Sequence, residues 1–291
     1  MGVELQQSPV LDCGDEKKKP NFVHIPIYDV QPSQKYPNSA QQVESEEQIV
    51  QIDERWYAKN ENYKPLTADQ RPGFIRKVYS IMILQLLLTV AACCLSYFWI
   101  PYRDFQNEYS GWVYLAIAIA IIIEIILLWI PKYSWRVPHN YLFLLVFTIA
   151  ESYTISQLCS YVFNKYSEEG GFIVLMAAAL TLAAVIGLTL YACKTKKDFT
   201  TKGAFLFMAS TSLFLFAILS GVYYDQAMSL LYSLISSLLF GIYLIYDTQL
   251  IIGGSTHKLS IDDYIIGAMF IYIDIVYLFA HIVLIIIACF K

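Results

Sequence analysis

YIIGAMFIYIDIVYLFAHIVLIIIACF, residues 264–290, is the stretch on which the fold turns. It holds one acid, Asp274, one histidine, His281, and no lysine or arginine. A helix needs about 20 consecutive apolar residues to cross a hydrocarbon core of ~30 Å, and this run exceeds that. One ionisable residue inside such a run does not argue against a span. It is expensive at membrane depth, so it reads as a functional group.

Six more runs of the same kind precede it. They cover Val78–Ile100, Trp112–Ile130, Tyr141–Phe163, Phe172–Cys193, Gly203–Tyr224 and Ala227–Ile252. The composition agrees: 57% of the 291 residues are hydrophobic, only 15% are charged, and mean hydropathy is +0.50. A soluble chain carries nearer a quarter charged residues. Trp99, Trp112, Trp129 and Tyr141 fall near span ends, where interfacial aromatics belong. All ten prolines lie at or before Pro138, outside the apolar runs. An all-α integral membrane protein follows, a seven-transmembrane-helix bundle over residues 71–291.

Residues 1–70 read differently. Pro9, Pro20, Pro26, Pro32, Pro37 and Pro65 punctuate them, with Lys17-Lys18-Lys19 and the acidic Glu44-Ser45-Glu46-Glu47. Such a segment buries too little apolar surface to fold. A mostly disordered polar tail is expected, with a docking segment for protein partners around Phe22 to Val30. Residues 1–16 contain Glu4, Asp12, Asp15 and Glu16 and no basic residue, unlike a transit peptide.

Lysine and arginine in the joints set the orientation. Arg71, Arg76, Lys77, Lys132, Arg136, Lys194, Lys196, Lys197, Lys202 and Lys258 fall on the N-terminal side, and Arg103, Lys165 and Lys291 on the other. Ten against three places the N-terminus in the cytosol by the positive-inside rule. An odd number of full spans puts Lys291 outside; a last span that dips and returns puts it inside, and both stay open. The six cysteines show no CxxC pair or metal spacing and read as packing residues. No cofactor, no enzymatic activity and no nucleic-acid partner are expected; the bilayer is the obligate surrounding.

Four acids interrupt the spans: Glu124, Glu151, Asp247 and Asp274. Counted at 1.5 Å per residue from the cytosolic ends, all four lie roughly 8–15 Å deep, in one layer. No base accompanies them. Asp247 and Asp274 sit on sequential spans with a short joint, so they are expected to meet, share a proton and titrate as a unit. Calcium suits such a group, because it takes oxygen ligands from carboxylates and carbonyls. Gly267, Asp274 and His281 fall seven apart on one face, so His281 is a candidate for the same path further out. Ser229, Ser233, Ser237 and Gly241 recur every four residues, a stripe that lets a neighbouring helix approach closely.

Tyr246-Asp247-Thr248-Gln249-Leu250-Ile251 with Gly253-Gly254, and Asp262-Asp263-Tyr264-Ile265-Ile266-Gly267-Ala268 with Tyr272-Ile273-Asp274-Ile275, resemble the last two helices of the transmembrane Bax inhibitor motif family, in its Lifeguard branch. Arg136-Val137-Pro138-His139-Asn140-Tyr141 and Phe147-Thr148-Ile149-Ala150-Glu151-Ser152 are similar to further Lifeguard segments. The resemblance runs from about residue 70 to the end. It implies a seven-helix fold with a central last helix. It also implies a calcium leak channel or pH-sensitive calcium/proton exchanger that restrains calcium stores and cell death. The family's paired aspartates fall on Asp247 and Asp274, and its second-helix glutamate on Glu124. Its latching arginine has only Lys132 and Arg136 as counterparts. An endomembrane of the ER or Golgi is the expected location, with plasma and mitochondrial membranes also open.

Two other classes compete. A non-conducting adaptor or structural subunit would use the tail for contacts. An intramembrane aspartyl protease also pairs a Tyr-Asp with a second aspartate, but that aspartate should follow Gly-x-Gly, and Asp274 follows Tyr272-Ile273.

Overall fold

The computed structural model describes residues 66–67, 69–222, 226–253 and 259–289. The tail expected over 1–70 lies, apart from its last few residues, outside them, as do Lys258 and Lys291 of the charge count.

Nine helices follow one another in the described residues: α1 Arg71–Phe98, α2 Ile100–Glu108, α3 Trp112–Trp129, α4 Pro131–Trp135, α5 His139–Lys165, α6 Gly170–Lys194, α7 Gly203–Val222, α8 Gln226–Ile252 and α9 Tyr264–Cys289. Seven of them, all but α2 and α4, are long and apolar enough to cross a membrane. In hydrocarbon a backbone can satisfy its polar groups only internally, so an apolar run of this length becomes a helix whatever its β-branched content. Proline marks helix starts: α1, α2 and α4 each carry one in the first two positions, where the missing N–H has no partner to lose. For that reason α1 begins at Arg71 and not at Val78, and Arg71, Arg76 and Lys77 stand on a helix.

The last helix is central, as expected, but it shares the centre with α5. The apolar stretch of α5 is 56% buried and that of α9 50%, against 6% for α7 at the periphery. Around α9 pack α8, α1 and α6, with fewer contacts to α5 and α4. Around α5 pack α1 and α3, with α6, α2 and α4. Phe74, Val78, Leu127, Phe147, Ile265, Met269 and Tyr272 fill the space between. Outward, Leu84, Trp129, Phe207, Phe214 and Leu238 are exposed, as apolar side chains are when lipid is the solvent.

Polar side chains go inward. On α5 Thr148, Ser152, Ser156 and Ser160 recur every four residues and form a seam against α1 and α2. Gln85 Nε2 donates to Thr148 Oγ1 at 2.9 Å, and Thr89 hydrogen-bonds Ser152 at 3.0 Å and Tyr272 at 2.8 Å. Farther along, Ser96 donates to Gln106 Oε1 (2.7 Å), Gln106 Nε2 to Ser156 (2.8 Å) and Asn107 to Ser160 (3.0 Å). Helix α2 therefore tucks a fully buried glutamine under the end of the bundle. The five described cysteines are free; Cys159 faces Cys93 with the sulfurs 3.7 Å apart.

Candidate functional site: two buried carboxyl pairs

The four intramembrane acids sort into two pairs. Asp247, five residues before the end of α8, meets Asp274, ten residues into α9, and their carboxyls are hydrogen-bonded to each other. They are only 6% and 3% exposed, so bulk water does not hydrate them. Two carboxyl groups hydrogen-bond only when a proton lies between them, since an ionised carboxylate is acceptor-only. Oδ2 of Asp274 is left without a partner among the described residues. Tyr243, one helical turn before Asp247, stands beside both carboxyls and hydrogen-bonds Ser210 of α7 at 2.5 Å.

The second pair is Glu124 of α3 beside Glu151 of α5. Glu151 is 3% exposed and Glu124 half-buried. Tyr277, three residues after Asp274 on α9, donates its hydroxyl to Glu151 Oε1 at 3.3 Å, while Oε2 has no partner among the described residues. Phe240 links the two pairs: it stacks on Tyr277 with ring centres 5.2 Å apart and stands 6.4 Å from Tyr243. Among the described residues no three of His, Cys, Asp and Glu converge as a metal cluster.

His281 lies two turns beyond Asp274, about 10 Å along α9 at 1.5 Å per residue. It is buried between Tyr232 (5.5 Å) and Phe240 (5.7 Å, stacked), and its Nδ1 has no partner among the described residues. Tyr232, Ser236 and Phe240 are spaced four apart on α8, so buried Ser236 falls on the face toward His281.

Neither expected latch residue reaches the aspartates. Lys132 and Arg136 are exposed, and Lys132 stands 6.0 Å over its neighbour Tyr133. They sit on and just after the short helix α4. Among the described residues, Arg71 reaches α8: its Nη1 donates to the carbonyl of Ile252 at 2.5 Å. Its guanidinium occupies the space where any residue but glycine at 253 would place Cβ, and Gly253 has φ 103°.

Further contacts gather a collar around the described part of the α8–α9 joint, Ser260 to Tyr264. Trp135 Nε1 donates to Asp263 Oδ1 and Ser260 N to Asp263 Oδ2, both at 2.8 Å. Burial pushes the Asp263 carboxyl above its ordinary range, against the pull of the Trp135 and Ser260 donors, and Asp262 adds to the rise. Asn140 donates to the Tyr264 hydroxyl at 2.9 Å, and the Lys77 ammonium sits 3.1 Å over the Tyr264 ring. Gln249, two residues after Asp247, accepts from Phe199 N (2.7 Å) and donates to Lys197 O (2.9 Å), tying down the basic joint before α7.

Sequence reasoning missed Tyr243, Tyr277, Phe240 and Arg71. Tyr243 and Phe240 share the α8 face of Asp247 at helical spacing, a readable signal. The role of Arg71 was not readable, because its partner Ile252 is 181 residues away.

Comparison with known proteins accords with this arrangement. The family described as "Inhibitor of apoptosis-promoting Bax1" matches residues 71–289, the whole helical region. The chain is 33% identical over 216 residues to protein lifeguard 3 of Homo sapiens, covering 73% of this chain and 67% of that one. It is 34% identical over 211 residues to protein lifeguard 4 of Mus musculus (72% and 83%) and 34% over 218 residues to protein LIFEGUARD 1 of Arabidopsis thaliana (73% and 88%).

Proposed function

This chain belongs to the Bax inhibitor family, among its Lifeguard members, and on that premise we propose that it is a pH-sensitive calcium leak channel or calcium/proton exchanger that restrains calcium stores and cell death. The observation that carries the reading is the hydrogen-bonded Asp247–Asp274 pair, buried with one carboxyl oxygen unsatisfied. A pair of acids at membrane depth without a basic partner needs a proton or a cation to neutralise it. Calcium takes 6–8 oxygens at 2.3–2.6 Å. The two carboxyls and the Tyr243 hydroxyl offer fewer, so water completes the shell and the site is weak, as conduction requires. Protons and calcium compete for the same oxygens.

In this reading Glu151 and Glu124 form a second station and His281 lies along the path beyond. The Arg71 collar closes the cytosolic end, with the N-terminus in the cytosol and the chain in an endomembrane. The tail docks protein partners, and the chain has no enzymatic activity. Purified full-length protein in calcium-loaded vesicles tests the proposal. Release should exceed that of empty vesicles and fall as pH falls, because protonation removes the charge that attracts calcium. Asp247→Asn and Asp274→Asn should each flatten the pH response. Release indistinguishable from empty vesicles across pH would discard the transport reading in favour of an adaptor.

A further inference from the structure

A cleft of about 710 Å³ runs between α1 and α6, and none of the four acids lines it. Both helices pack on α5 and α9, and those two supply the floor through Ile155, Ile275, Val276 and Phe279. On α1 the lining extends from Leu86 to Phe98, and on α6 from Gly171 to Val185. At 1.5 Å per residue these walls are about 18 and 21 Å long. At one end the Tyr97 ring lies over Gly171, where a Cβ would stand 3.0 Å from it, and packs edge-on against Phe163 at 5.1 Å. That end coincides with the end of α1 and the start of α6, so it lies at a membrane boundary; the other end is near mid-membrane.

Water does not suit this cleft. A buried water needs 2–4 polar partners. Of the three hydroxyls in the lining, Thr89 and Thr181 are engaged, with Gln85, Ser152 and Tyr272 and with Ala177 O respectively, and the third, that of Tyr97, stands at the boundary end, which leaves the apolar length of the cleft without the partners a water needs. The volume is roughly five times that of a ~150 Å³ apolar cavity that takes up benzene, so an empty cleft would forfeit contacts along both helices. Its length is close to one leaflet of hydrocarbon, about 15 Å. We propose that this cleft is a lipid site. It holds one acyl chain of a phospholipid from the leaflet at the Tyr97 end, lying on α9 and joining α1 to α6. The proposal stands apart from the ion-transport reading and survives its failure.

The test uses full-length protein in vesicles containing phosphatidylcholine with a diazirine at the end of one acyl chain, followed by irradiation and peptide mapping. Adducts should concentrate on the half-buried Leu86 and Val185 at the mid-membrane end of the cleft, above the level on the outward residues Phe207 and Phe214 of α7. Ala178→Phe, which fills the cleft, should lose the cleft adducts and keep those on α7, the internal check on folding. An even distribution in the wild-type protein would overturn the proposal whether or not the variant folds. So would cleft adducts formed by a diazirine sterol and not by the phospholipid, which would make this a sterol site.

Discussion

Arg71→Ala is the perturbation whose consequence can be worked through in most detail. The last four carbonyls of α8 have no partner within the helix, and Arg71 serves one of them, that of Ile252. A hydrogen bond to a charged donor contributes about 1.5–3 kcal/mol. A cation at a helix C-terminus adds roughly 0.3–1 kcal/mol from the dipole. Part of the site is exposed, so a loss near 2 kcal/mol is the working figure, roughly a 30-fold rise in molecules with a frayed α8 end. Asp247 lies five residues up the same helix, so fraying loosens the Asp247–Asp274 contact and should raise calcium release at neutral pH.

Gly253 supplies the control. Gly253→Ala meets both a strained φ of 103° and the guanidinium itself. On the Arg71→Ala background only the strain remains, about 1–2 kcal/mol. The double variant should therefore be less destabilised than the sum of the singles. Thermal unfolding in micelles measures the stabilities and vesicle efflux the release. An unchanged midpoint and unchanged efflux for Arg71→Ala, or strict additivity with Gly253→Ala, would refute the clamp.

Lys132→Ala and Arg136→Ala should leave efflux at the wild-type level in the vesicle assay, because both side chains are exposed away from the pair; a rise at either would restore the latch. The Asp247→Asn/Asp274→Asn double variant should lose little more pH response than either single, as members of one hydrogen-bonded unit do; summed effects would separate the two groups. Tyr277→Phe removes the donor to Glu151 and should destabilise the protein by about 0.6 kcal/mol, at most roughly 2, the range for polar contacts between membrane helices, read as a lower unfolding midpoint. Asp263 has a folded pKa above its ordinary value, so its contribution is full below that ordinary value and is lost as pH rises through the folded one. Trp135→Phe takes away a donor that opposes the rise, so the loss should move to higher pH in unfolding midpoints measured across the acid range.

The spans were legible in the sequence because crossing a bilayer is a local demand: each apolar run must be long enough and must satisfy its own backbone, and residues 264–290 meet that demand with no reference to the rest of the chain. The acids were legible for the same reason, as Asp274 or Glu151 stands out against apolar neighbours whatever it touches. The Asp247–Asp274 pair was inferable because a short joint makes the two helices antiparallel neighbours. What the sequence could not assign was partnership between distant helices. Four acids counted to similar depths read as one layer, yet depth says nothing about position around the bundle axis. Only packing placed Glu124 beside Glu151 and put Phe240 between that pair and the aspartates. The choice of Arg71 over Lys132 and Arg136 likewise depended on where α1 starts relative to α8, and the sharing of the centre between α5 and α9 on how the other helices packed around both. Hydrophobic length is written residue by residue along the chain, whereas a hydrogen bond or a guanidinium clamp exists only once two surfaces far apart in sequence are brought within 3 Å, and that is decided by the tertiary structure.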